Sequence, residues 1–321
     1  MKTLFKALTI TAVSFCLAAA APAFAQPKYP TQQVRLVVPF PPGGATDALA
    51  RLIGEKLAAR WKQSVIIDNR PGANTMLGTD AVAKSPPDGH VLGIVTGSHV
   101  INPMLATTKM PYDTQKDLTG VMLLTGFQMA LWAHPSLPAS TPAELLALAK
   151  KEQVDYAAAT TQSYLGMELL NSMAKVKMGY VPYKGSAQAL NDLIGGHVKL
   201  MIDPVSYTLL EHVKNGKIKL IGTLGKRPSE LAPGAPTFAT TVPGYDFSGV
   251  FGLIVPAGTP PELVLFIRDE FAAVMKLPEV AERISTIGQE AIVSTPDEYN
   301  AYIRAEGAKW APVVKATGAT L

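Results

Sequence analysis

The sequence predicts an α/β fold in two lobes, each a mostly parallel sheet flanked by helices. Three observations predict it. Short β-branched runs alternate with helix-period segments along most of the 321 residues, the pattern of strand–helix–strand units. Residues 30–105 and 128–225 each form one such unit, and the last portion offers long helices but too few strands for a third. Helix starts are also marked, because Thr141-Pro142, Asp203-Pro204 and Thr295-Pro296 each put a capping side chain before a proline at the first helical position.

In chain order, β-branched runs predict strands over 34–38, 64–67, 91–95, 130–133, 154–158, 199–202, 217–223 and 250–255. Apolar residues at helical spacing predict helices over 46–61, 75–84, 142–151, 164–173, 187–194, 205–214, 261–275, 278–286 and 296–314. The expected organisation is a first lobe of residues 26–125 plus 250–321 and a second of 126–249, with hinge crossings near 123–127 and 245–249. Ligands of open α/β sheets sit beyond the carboxyl ends of the strands. Two such sheets facing each other would trap one in the cleft.

Ahead of the fold, Lys2 and Lys6 form a basic start, residues 7–21 an apolar run, and Ala23-Phe24-Ala25 a small-x-small cleavage site. That is a secretory signal peptide (residues 1–25), with cleavage expected after Ala25 and a mature chain in a bacterial periplasm. Cys16, the one cysteine, lies inside it, so the mature chain is expected to hold no disulfide. The net charge of +4 drops by two when Lys2 and Lys6 leave. The remaining basic residues are scattered, which argues against nucleic acid.

The loops carry the chemistry. In "PFPPGGATDALARLIGEKL", from Pro39, a strand runs into two prolines and Gly43-Gly44, then a helix headed by the amides of Gly44, Ala45 and Thr46. Bare amides at a helix start attract an anion. No Gly-Lys-Ser/Thr follows, so the turn is not a phosphate loop, and a carboxylate suits it better. An ordinary tight turn between strand and helix is the equal alternative. Asp47 is read as stabilising the first turn of its own helix, with a bond accepted from the ligand or a bridging water as the lesser alternative. Ser98, after a strand, offers Oγ and its amide to the cleft, while His99 is read as a local turn residue. Thr160, Thr161, Gln162 and Ser163 before a helix form either a second carboxylate cradle or a capping cluster. Lys184-Gly185-Ser186 precedes another helix, with Lys184 either the one full positive charge in the cleft or a solvated surface lysine. Asp203, before Pro204, is read as a helix cap first and a ligand contact second.

The five histidines show no metal-ligand spacing, and no pair of carboxylates stands at an acid–base position. Many helix starts and few reactive groups favour binding over catalysis, with no metal or cofactor.

The chain also resembles the tripartite tricarboxylate transporter substrate-binding proteins, the Bug or TctC-type periplasmic receptors. The resemblance lies in "VRLVVPFPPGGATDALARL", "VIIDNRPGANTMLGTDAVAKSPPDGHVL", "INPML", "MPYDTQKDL", "VPYKGSAQALNDLIGGHVKLMID" and "VPAGTPPELV", and it covers essentially the whole mature chain. It implies a two-lobed Venus-flytrap fold, a small carboxylate ligand, and delivery to a permease of two integral-membrane subunits by a monomeric receptor. It also places one ligand carboxylate against residues 40–47, which adds Phe40 and Pro42 to the glycine loop. The second lobe's contacts fall on residues 160–164, including Tyr164, on Lys184 and Gly185, and on Asp203. The chain departs from the family pattern at Asn74, Thr75 and Met76 and at Tyr164, where histidine is common. Met76 and Tyr164 beside a shortened loop would tolerate a flat ring, so a dicarboxylate and an aromatic carboxylate both stand as ligands. Two other readings are a ligand-sensing partner of a membrane signalling protein, and a periplasmic hydrolase or isomerase of small acids. The second would need a converged nucleophile–base pair.

Overall fold

The computed structural model describes residues 29–320; the signal-peptide segment lies outside the described residues. From residue 32 onward the chain forms one compact unit. Strand β1 (Val34–Val38) is an apolar run with only Arg35 facing out. It leads into helix α1 (Ala45–Trp61), which buries Leu49, Ala50, Ile53 and Leu57 along one stripe and ends at Lys62 in the left-handed region. Then follow β2 (Val65–Asn69), α2 (Met76–Ala83), β3 (Val91–Thr96) and α3 (Ser98–Leu105). Strands β2, β1 and β3 pair in parallel in that order.

The strand expected over 130–133 is much longer. β4 runs from Leu118 to Ala133, straight through the expected hinge segment at 123–127. Its sequence, LTGVMLLTGFQMALWA, is apolar on both faces, so no period of two marks it. Its first part pairs antiparallel with β9 (Ser248–Pro256), and its last five residues pair antiparallel with β7 (Leu200–Pro204). One strand therefore belongs to two sheet regions.

The second region is built from α4 (Pro142–Ala149), β5 (Asp155–Ala158), α5 (Thr161–Ala174), β6 (Gly179–Pro182), α6 (Ser186–Ile194), β7, α7 (Tyr207–Lys214), β8 (Lys219–Thr223) and the short α8 (Phe238–Thr241). β6, β5 and β7 are parallel neighbours, and β8 lies antiparallel on β4. The chain returns through β9 to α9 (Pro261–Met275), α10 (Pro278–Thr286), β10 (Gln289–Ala291) and α11 (Pro296–Thr317). Each region thus has a parallel core, and the antiparallel pairs come from the strands shared with or added beside the crossing. A parallel neighbour needs a helical crossover, which strands returning directly do not have.

Two apolar clusters fill the regions. Val37, Val95, Ile254 and Tyr299 belong to one, while Trp132, Ala157, Leu193 and Met201 belong to the other. Helix α11 opens with a capping box, in which Thr295 and Glu298 each accept from the other's backbone. It buries Trp310 edge-on against Phe247 at 5.9 Å.

Several expectations need correction. Asp203 and Pro204 do not cap a helix; they are the last residues of β7, and Ser206 caps α7 through the amide of Leu209 at 3.4 Å. A proline cannot distinguish a helix start from a strand end, and the β7–β4 pairing decided for the strand. Helix α5 begins at Thr161 rather than Tyr164, with Thr160 as its N-cap. The loop at Ser98 is a helix despite Pro103. Proline there removes a bond to the carbonyl of His99, and Thr114 Oγ1 donates to that carbonyl at 3.4 Å instead. Met76 opens α2 and packs against the first cluster.

Candidate functional site

A cavity of about 410 Å³ lies between the two sheet regions, at the carboxyl ends of the parallel strands. The loop after β1 contributes Phe40, Pro41, Pro42, Gly44, Ala45 and Thr46, and the end of β3 contributes Thr96. From the other region come Ala159, Thr160, Gln162 and Ser163 after β5, residues 184–188 after β6, and Asp203 with Pro204 at the end of β7. Phe127 and Met129 of β4 and Phe251 of β9 complete the wall where the regions join. The rings of Phe127 and Phe251 meet tilted by 42°, with 4.7 Å between their centres. Enclosure between two walls and an apolar lining with a few polar groups are the usual marks of a small-molecule site.

The polar groups are set by how each helix starts. Gly44 is the N-cap of α1 and has no side chain to offer, so the first-turn amides of Ala45 and Thr46 lack partners within the helix. Gly43 takes φ 93°, a left-handed turn that glycine adopts without strain. Asp47 sits behind this turn. Its Oδ2 accepts from the Gly43 amide at 3.0 Å and from Arg51 Nε at 2.9 Å, and its Oδ1 accepts from Asn69 Nδ2 at 3.0 Å. Burial alone would raise the Asp47 carboxyl, but the bonds from Arg51, Gly43 and Asn69 outweigh it and hold the group below its ordinary value. Asn69 Nδ2 also donates to the carbonyl of Phe40 at 3.0 Å. Asp47 therefore pins the loop from behind, and neither it nor Gly43 lines the cavity.

Helix α5 starts differently. Thr160 Oγ1 accepts from the Ser163 amide at 3.0 Å and Ser98 Oγ accepts from the Gln162 amide at 3.3 Å. Thr161 Oγ1 donates to Asn102 Oδ1 at 2.5 Å, and Gln162 Nε2 to the carbonyl of Ser248 at 3.3 Å. The polar cluster is thus engaged within the protein, tying α5 to α3 and β9. Ser98 and Thr161 are buried behind the cavity wall. Tyr164 stacks on Tyr180 at 4.7 Å and is not among the lining residues.

Helix α6 resembles α1, since its N-cap Gly185 has no side-chain acceptor. Gly185 also allows a close approach, for a Cβ there would stand 3.0 Å from Cδ of Pro41 on the opposite wall. Beside it, Ser186 Oγ donates to Asp203 Oδ1 at 2.5 Å. Asp203 is half-buried, its open side facing the cavity rather than bulk water, and burial pushes its carboxyl up to about 7 against the opposing pull of the Ser186 bond. Lys184 is exposed at the rim, forms no ion pair among the described residues, and is the one lysine or arginine in the lining.

No reactive pair converges here. His99 is buried, which lowers its imidazole to about 4, and its Nδ1 has no partner. It does not serve Ser98, whose hydroxyl is bonded to Gln162. Among the described residues, no group of three or more His, Cys, Asp or Glu side chains has metal-site geometry, and no helix is long and apolar enough to cross a membrane.

A family model described as tripartite tricarboxylate transporter family receptor matches residues 49–319. The chain belongs to that family. The receptor is 31% identical to protein BugT of Bordetella pertussis over 299 residues, covering 91% of each chain. It is similar to a solved R. palustris protein with adipate (34% identity, TM-score 0.86, 91% of this chain and 100% of that one). It is also similar to MatC of Rhodopseudomonas palustris with bound malate (29% identity, TM-score 0.82, 89% and 100%). The fold is that of the two-lobed periplasmic binding proteins, and the chain is a solute-binding protein of a family of periplasmic receptors.

Sequence reasoning missed Thr96, Phe127, Met129, Ser186, Gln188, Asn191 and Phe251 as lining residues. Phe127 fell in an expected hinge segment and Phe251 in an expected strand, and the pairing of β4 with β9 brings them to the cavity. Gln188 and Asn191 carried a readable signal, three residues apart on one face of a helix already suspected.

Proposed function

We propose that this receptor captures a small carboxylate, aliphatic or aromatic, between two lobes and delivers it to two integral-membrane permease subunits as a monomer. The lobes are residues 26–125 with 250–321 and residues 126–249, and the signal peptide directs the chain to the periplasm. The observation that carries this reading is the uncapped start of α1, opening into an enclosed apolar cavity beside one unpaired lysine. Partnerless helix-start amides and the helix dipole favour a small anion. Lys184 supplies the full countercharge from the other wall. That wall approaches the first where Gly185 nears Pro41 and is bonded to it where α5 meets α3 and β9, and β4 and β9 carry the hinge.

The adipate and malate held by the R. palustris proteins support a carboxylate here. The protein is read as a carrier rather than an enzyme, since Ser98 and His99 form no nucleophile–base pair. A role as a sensor for a membrane signalling protein would use the same site. Titration calorimetry with carboxylates and their uncharged amides tests the reading. Micromolar or tighter binding of at least one acid, lost in its amide, is expected. Equal binding of acid and amide would contradict it, and turnover of the bound acid would contradict the carrier role.

A further inference from the structure

The two walls of the cavity are joined in two unlike ways. On the α5 side the join is polar and buried. Thr161 Oγ1 donates to Asn102 Oδ1 at 2.5 Å, and the Gln162 amide donates to Ser98 Oγ at 3.3 Å. Asn102 is itself oriented by donating through Nδ2 to the carbonyl of Asn74 at 2.8 Å. Ser98, Asn102 and Thr161 are 0% exposed and Gln162 4%. Gly97 lets the two helices meet, for a Cβ there would stand 2.4 Å from Cδ of Gln162. One turn on, Gly166 lies against Phe247, and its carbonyl accepts from Tyr245 Oη at 3.0 Å. On the α6 side the walls touch through Gly185 and Pro41. There Ser186 is bonded to Asp203 of its own wall, and Lys184 is exposed.

We infer that the α5 side is a fixed seam, held by Asn102 through Thr161, and that the cavity opens along the α6 side. Parting the seam would leave Thr161, Asn102, Gln162 and Ser98 without these partners, and unmade bonds of buried groups are strongly unfavourable. Parting Gly185 from Pro41 gives up a van der Waals contact instead. Thr160 and Ser163, beside the seam, then keep their places in the wall, while Lys184 moves with α6. Asn102 does not touch the cavity; it is a positioning residue for the wall that does. The inference goes beyond the carboxylate reading and holds for whatever ligand the cavity takes.

The one cysteine, Cys16, lies ahead of the expected cleavage point, so thiols can be placed singly in the mature receptor. Thr46→Cys puts one in the cavity wall and Ser98→Cys one in the seam, both at buried positions. With no ligand added, a small disulfide reagent (DTNB) should modify the cavity thiol at least a hundredfold faster than the seam thiol. Comparable rates, fast or slow, overturn the inference. Added to Ser98→Cys, Thr161→Val should speed modification at least tenfold, and Thr161→Ser, which keeps the hydroxyl, less than threefold. Equal effects of the two, or none from either, remove Asn102 from the role. If a cysteine variant does not fold, exchange of the Gln162 amide in the unsubstituted receptor decides, since a first-turn amide has no acceptor in its own helix. Protection like that of the β1 amides is expected, and exchange at least tenfold faster than theirs overturns the seam. Because no ligand is used, failure of every carboxylate to bind would remove the carboxylate reading and leave this result readable.

Discussion

The starts of α1 and α5 border the same cavity, and in the sequence they look alike: small and polar residues between a strand and a helix. Their chemistry is opposite. At α5, Thr160 and Ser98 have taken the amides of Ser163 and Gln162, and Thr161 has turned to Asn102. At α1, Gly44 takes nothing, and the one acid nearby, Asp47, is held behind the turn by Arg51 and Asn69. A helix start binds a ligand only where its own cap leaves the donors free. The side chains best suited to capping are therefore the ones that make a helix start least useful as an anion site.

The sharpest way to break this comparison is to give α1 the cap that α5 has. Gly44 has φ −84° and ψ 173°, an ordinary N-cap conformation, and a Cβ there meets nothing within 4 Å. Gly44→Asp should therefore fold, with stability raised by a few tenths of a kcal/mol. Its carboxylate would occupy the free amides and repel the ligand, so carboxylate affinity should fall at least a hundredfold by calorimetry. Unchanged affinity in the folded variant would remove α1 from the site. Next in size, Lys184→Gln should weaken binding roughly tenfold (about 1.4 kcal/mol) without altering the melting temperature, and the loss should shrink in high salt. Thr160→Ala is the mirror of the first test. It should cost about 1 kcal/mol of stability in chemical denaturation while leaving affinity within twofold, because the hydroxyl of Thr160 is spent on the amide of Ser163.

A pH-dependent effect concerns Asp203. Its folded carboxyl titrates near 7, above the ordinary value of 3.8, so the native state binds more protons than the unfolded chain between those values. Stability from this group falls as pH rises through that window. Asp203→Asn should melt higher than wild type at pH 8, with the difference vanishing near pH 4. Asp47 runs the other way: its carboxyl lies below the ordinary value, and its contribution is lost as pH falls through the folded value. A pH-independent difference between wild type and Asp203→Asn would show that the carboxyl does not titrate in that range.

What was legible in the sequence follows physical range. The bounds of α9 and α10 were read to the residue, because a proline fixes each start and the apolar spacing is local. β1 was equally plain, as was the Gly43-Gly44 turn, since glycine and helix chemistry act over a few residues. The short strands β6 and β10 were missed, having no periodicity of their own and existing only through their partners.

By itself, then, the sequence determined the alternation of strands and helices, the position of the bare helix start at Gly44, and the family. These depend on neighbours within about a turn of chain. The tertiary structure decided that β4 joins both sheet regions, and it turned Asp203 from an expected cap into a wall residue. It also closed the Gln162 amide of α5 through Ser98. Each of those outcomes depends on partners far away in sequence, such as Ser98 for Gln162 and β4 for β7. Spacing along the chain carries no record of which distant groups meet.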